Sequence, residues 1–151
     1  MPWVRIGAEP FDPGAESSAF LAGRADAGAA VTFTGLVRSR PDDPVLALML
    51  DCYPELAHNE ITAILTAAVS RFSLLDAAVI HRHGRLLPGE PIMQVMVLAP
   101  HRDAAFDGAR LLMDYLKTGA PFWKKEETPS GCRWVEAAAA DDRARERWEE
   151  K

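Results

Sequence analysis

Cysteine is scarce in this chain: Cys52 and Cys132 are the only two in 151 residues. So few exclude a disulfide scaffold and predict a reducing compartment, the cytoplasm, rather than secretion. Long hydrophobic runs are also missing. No uncharged stretch approaches the roughly 18 residues of a membrane span. The start, Met1-Pro2-Trp3-Val4-Arg5, has no basic segment leading into an apolar run, so neither a span nor a signal peptide is expected. Excess positive charge is absent as well. Lys and Arg number 17 against 22 Asp and Glu, a net charge of -5 with neutral histidines. Without a global positive field, neither nucleic acid nor an anionic membrane is an expected partner, although a local basic site stays open. No internal repeat or low-complexity stretch stands out beyond Ala137 to Ala140.

What is present is a globular balance, 48% hydrophobic against 26% charged residues. It predicts one domain over residues 1–151 that folds without a disulfide or structural metal. Val4 to Ile6 reads as a short strand, and Asp12-Pro13 as the cap and first turn of a helix carrying Phe20 and Leu21. Ala29 to Arg38 is a β-branched, aromatic strand in which Gly35 marks a bulge or a close backbone approach. Ser39 to Pro44 is a polar, proline-bounded loop, expected to be mobile, before an extended segment from Val45 to Tyr53. From Pro54, apolar residues at Ile61, Ile64, Leu65, Ala68, Val69 and Phe72 follow helical spacing. Ala77 to Leu86 and Ile92 to Leu98 flank Pro88-Gly89-Glu90 and predict an antiparallel hairpin. A second amphipathic helix, His101 to Lys117, stops at Gly119 and Pro121. Pro121 to Glu127 and Cys132 to Ala137 read as a last hairpin, and Asp141 to Lys151 as a charged tail, helical or frayed. This order lacks the regular alternation of a doubly wound parallel sheet, so the class is α+β, with a mixed, largely antiparallel sheet and two main helices.

Several residues stand out chemically. In Ala99-Pro100-His101-Arg102-Asp103, two cations sit where a helix begins and its free amides already carry partial positive charge. That opposes helix stability but suits an anionic ligand on which amides, arginine and histidine converge. The plainer alternative has Asp103 capping the helix while the cations point into water. Lys117, in the last helical turn, complements the dipole and taken alone is structural. Strand alternation sets Lys124 with Phe122 and Glu126, and Lys125 with Trp123 and Glu127, so one lysine of the pair is solvated. An amine among aromatics serves as a nucleophile or acid, or stays charged to stabilise an anion, and the residues leave both open. Arg38 ends a strand beside the loop, where a rigid guanidinium would meet a ligand, unless it is only a solvated strand end. His81 and His83 share a strand face, but no third ligand lies nearby in a recognisable pattern. Both read as core or sheet-surface histidines, and no metal is expected. Cys52 and Cys132 read as packing residues.

The runs Phe33-Thr34-Gly35-Leu36-Val37-Arg38, His81-Arg82-His83-Gly84-Arg85-Leu86, Ala99-Pro100-His101-Arg102, Leu116-Lys117 and Pro121-Phe122-Trp123-Lys124-Lys125, closed by Trp134-Val135-Glu136, occur in order along the chain. Together they resemble the large, catalytic subunit of molybdopterin synthase. The resemblance implies a hammerhead-like α+β fold and a sulfurtransferase that installs two dithiolene sulfurs in cyclic pyranopterin monophosphate (precursor Z). It implies no cofactor, and a small ubiquitin-like partner whose C-terminal Gly-Gly ends in a thiocarboxylate. A homodimer of large subunits, each carrying one small subunit, completes a heterotetramer. By the same resemblance Lys117 and Lys124 are catalytic, and Arg38, His101 and Arg102 hold the pterin phosphate beside the backbone of Leu36, Val37, Lys125 and Glu126. Asp51-Cys52-Tyr53, Ala57-His58-Asn59 and His83 depart from the family pattern. A non-catalytic module that binds a phosphorylated metabolite is the rival reading of the same basic residues.

One consequence is geometric. Arg102 and Lys117 on one unbroken helix would stand about 22 Å apart at roughly 1.5 Å per residue. A small substrate does not span that, so the expected site is shared between two copies of the chain.

Overall fold

The computed structural model describes residues 1–135, 143–144 and 146–149. Its elements run β1 (Trp3–Gly7), α1 (Pro13–Leu21), β2 (Ala29–Leu36), β3 (Ala47–Asp51), α2 (Pro54–Phe72), β4 (Asp76–Arg82), β5 (Gly84–Leu86), β6 (Pro91–Ala99), α3 (Arg102–Thr118), β7 (Trp123–Thr128) and β8 (Gly131–Val135). The expected α+β class holds, but the strands resolve into two four-stranded sheets, ordered β1-β4-β6-β2 and β5-β3-β7-β8. Among the described residues only the β1–β4 pair is parallel. Among the described residues no helix is long and apolar enough to cross a membrane.

Period-two alternation sorts the first sheet into two faces. Ala77, Val79, Val95 and Val97 meet Ile61, Leu65, Ala68, Ala105, Leu112 and Leu116 of α2 and α3 in the main core. Ala78, Ile80 and Met96 face the other way, under Trp3, Phe11 and Phe20. Ile61, Leu65 and Leu112 are fully buried, each contributing about 1.5–3 kcal/mol of hydrophobic stabilisation. A smaller core of Val37, Leu48, Leu50 and Leu86 seats the second sheet. The Asp12 carboxylate accepts from the amides of Gly14 and Ala15, as its place before Pro13 suggested. Gly35 coincides with a register shift between β2 and β6, the expected bulge.

Three expectations need correction. The apolar run from Ala77 to Leu86 is not one strand: at Gly84, φ reaches +101°, which an L side chain resists, and the chain leaves the first sheet for the second. β4 keeps its antiparallel pairing with β6. The loop after Arg38 is tied rather than free: Val45 N donates to Ser39 Oγ at 2.9 Å, and the Arg133 guanidinium lies 3.0 Å from Asp43. Gly119 caps α3, but with φ −109° it is no left-handed cap; a Cβ there would come within 2.8 Å of the Tyr115 ring, which would have to shift. Residues 136–137 of the last expected strand, and 141–142, 145 and 150–151 of the tail, lie outside the described residues. The described part of the tail brings Trp148 onto Phe72 at 5.7 Å between ring centroids, with the indole N–H donating to Asp114 at 2.7 Å.

Candidate active site

A cavity of about 500 Å³ opens where the end of β2, the end of β4, the start of β6, the last turns of α3 and the start of β7 meet. Its walls are mostly apolar, from Phe33, Leu36, Ile92, Met93, Met113 and Leu116. Among the described residues three cations reach it, Arg38, Lys117 and Lys124, and no carboxylate lines it. Lys117 arrives on the last turn of α3, where the dipole favours it, so its structural role and its place on the cavity coincide. The β7 alternation turns Lys124 to the cavity while Lys125 extends over Trp134, with its ammonium 5.3 Å from the ring centroid. Glu126 joins a second, polar cavity of about 250 Å³ with Arg38, Arg40, Asp43 and Arg133. There Arg133 holds Glu126 at 2.9 Å and Asp43 at 3.0 Å, and its guanidinium keeps the Asp43 carboxyl below the usual carboxylate range. Arg38 alone borders both cavities.

The structure therefore brings Leu36, Val37, Arg38, Lys117 and Lys124 together and leaves others apart. His101 and Arg102 stand exposed at the opposite end of α3, whose helix runs unbroken from Arg102 to Thr118. Asp103 makes no side-chain cap there; His101 itself occupies the N-cap position. Lys125 lies outside the first cavity. Cys52 is buried and Cys132 exposed, and neither borders the cavity.

His81 is the residue that reading the sequence undervalued. It is buried, as the core reading held, yet its ring lines the cavity. It stacks on Phe122 at 3.9 Å and 17°, and its Nδ1 lies 2.9 Å from the Arg82 carbonyl oxygen. Burial first, and then the charges of Lys124, Lys117 and His83, push its pKa down to about 4. The available signal was a histidine directly after the apolar run Ala77 to Ile80, since a buried polar ring calls for partners.

An α+β frame with three convergent cations in an apolar-walled cleft is the chemistry of a binding protein or enzyme with a site suited to a small anionic molecule. The family model described as MoaE protein matches residues 6–119. The molybdopterin synthase catalytic subunit of Cereibacter sphaeroides is 52% identical over 145 residues, covering 96% of this chain and 99% of that one. Its counterpart in Rhizobium meliloti is 50% identical, covering 96% and 94%. A solved molybdopterin biosynthesis MoaE protein from Burkholderia ambifaria superposes with a TM-score of 0.82 at 44% identity, covering 99% of each chain. The chain belongs to the MoaE family, the catalytic subunits of molybdopterin synthase. It is thus an enzyme subunit and not the non-catalytic metabolite-binding module that its basic residues alone allowed.

Proposed function

We propose that this cavity binds cyclic pyranopterin monophosphate and that the chain transfers to it the sulfur of a thiocarboxylate at the Gly-Gly end of a small ubiquitin-like partner. The observation that carries the reading is the trio Arg38, Lys117 and Lys124 around an apolar cleft that, among the described residues, no carboxylate lines. A cyclic phosphate pairs with a guanidinium, and the flat pterin suits walls such as Phe33 and Met113. Acyl-sulfur transfer builds negative charge on sulfur and oxygen, which preorganised ammonium groups stabilise. Lys117 and Lys124 are the catalytic residues in this reading. Arg38 grips the phosphate beside the backbone of Leu36 and Val37, with Lys125 and Glu126 on the adjoining strand. His101 and Arg102, remote from the cavity of their own chain, reach the phosphate from a second copy in a homodimer. Two large and two small subunits then form the working heterotetramer, in the cytoplasm.

The test combines the chain with thiocarboxylated partner and precursor and follows dithiolene product. Lys117→Ala and Lys124→Ala are expected to lower kcat at least tenfold with little change in KM, whereas Arg38→Ala mainly raises KM, by roughly tenfold for a lost charge-assisted pair. Equal loss from Lys125→Ala and Lys124→Ala would contradict the choice between the two lysines.

A further inference from the structure

The cavity floor holds a group with no role in the scheme above, although the inference drawn from it rests on that scheme. The Arg82 carbonyl oxygen 2.9 Å from His81 Nδ1 can only accept, so Nδ1 carries the proton and donates. The ring's lone pair is then at Nε2. The flat contact with Phe122 at 3.9 Å stops the ring from turning over, and Phe122 is two residues from Lys124. Among the described residues the charges that act on the ring are those of Lys124 from β7, Lys117 from α3 and His83 just beyond its own strand, while Arg38, two residues past β2, lines the same cavity. Its cross-strand neighbours are the uncharged Ile6 of β1 and Met93 of β6.

A carboxylate in this place would also hold an ammonium, but it would cancel the positive charge that an anionic substrate and a developing thiolate need. A neutral imidazole supplies a lone pair and no charge. We propose that His81 is a positioning residue of the active site: locked by the Arg82 carbonyl and the Phe122 ring, it offers Nε2 as an uncharged acceptor to the Lys124 ammonium and aims it at the reacting sulfur. His81 touches no reacting atom. It acts through Lys124, which lines the same cavity two residues beyond the Phe122 ring on which His81 is stacked.

The experiment has two arms on the full-length chain. In the first, nitrogen NMR of the imidazole without substrate is expected to show the Nδ1–H tautomer at neutral pH and a titration midpoint near 4. Lys124→Ala should move that midpoint upward by more than Lys117→Ala does. An Nε2–H tautomer, or a midpoint indifferent to Lys124, overturns the proposal. In the second arm, His81→Phe keeps the stack and loses the acceptor, whereas His81→Gln restores a neutral acceptor near the position of Nε2. With the partner bound and precursor supplied, His81→Phe should lose roughly tenfold or more in kcat with KM within about twofold, and His81→Gln should recover most of it. Equal activity of the two variants, at equal melting temperature, overturns the proposal. Because the first arm needs no substrate, it decides the His81–Lys124 pair even if the wild-type chain transfers no sulfur, an outcome that would fault the functional reading alone.

Discussion

An imidazole that stays neutral down to about pH 4 in the folded chain, against 6.5 when unfolded, makes stability depend on acid. Between those two values the unfolded chain takes up a proton that the folded chain refuses. Unfolding therefore becomes easier as the pH falls through this window, and the contribution is intact above 6.5. The full shift corresponds to a loss on the order of 3 kcal/mol by pH 4. Urea unfolding of the wild type and of His81→Phe at pH 7.5 and 4.5 checks it: the wild type should lose clearly more stability between them. The cysteines lead to an expectation of the opposite kind. Burial, and secondarily Asp51, raise the Cys52 thiol above its usual range, so thiolate is suppressed there, and Cys132 sits on β8 away from the cavity. A Cys52→Ala/Cys132→Ala variant should keep most of its turnover in the dithiolene assay; loss of turnover in a folded double variant would mean that sulfur passes through this chain.

Helices show where local signals suffice. α2 begins at Pro54 and buries Ala57, Ile61, Leu65 and Ala68 along one stripe, which its spacing announced. Its end was not marked in the same way, because the left-handed position after Phe72 is held by Ser73, with φ 52°, where glycine is usual. Ser73→Gly should relieve that backbone and stabilise by about 0.5–1 kcal/mol, read as a higher urea midpoint at unchanged m. The strands were legible as strands because alternation is local, but their partition between sheets was not. Ala77 to Leu86 is equally apolar whether it pairs in one sheet or two, and β5 finds its partner in β3, more than thirty positions earlier. Much the same holds for the cavity. Lys117 and Lys124 were singled out through the family resemblance, Lys117 alone reading as a structural cation at a helix end, whereas His81 gains its surroundings from α3 and β7, which lie further along the chain.

At the scale of the whole molecule, the distance along α3 becomes decisive. From Arg102 to Lys117 the helix is continuous, so about 22 Å of rise at roughly 1.5 Å per residue separates them. A two-fold axis is the economical way to join one chain's helix start to the other's cavity. Mixing a His101→Ala/Arg102→Ala chain with a Lys117→Ala/Lys124→Ala chain, under conditions that exchange subunits, should restore product formation that neither supports alone. Proven heterodimers without activity would exclude the shared site.

Gly84 and the parting of β4 from β5 also govern when the enzyme acquires its activity during folding. β4 and β6, which carry the floor of the cavity, pair across residues 83–90, a short excursion that holds β5. The wall that bears Lys124 requires β7 to find β3, with Leu50 opposite Lys124 and 74 positions between them. Loop-closure entropy sets the slower clock for that second pairing. A refolding chain should therefore regain its helices and the local β4–β6 pair before it regains a cavity able to hold substrate, and the time between is when the apolar lining of the site lies open to solvent.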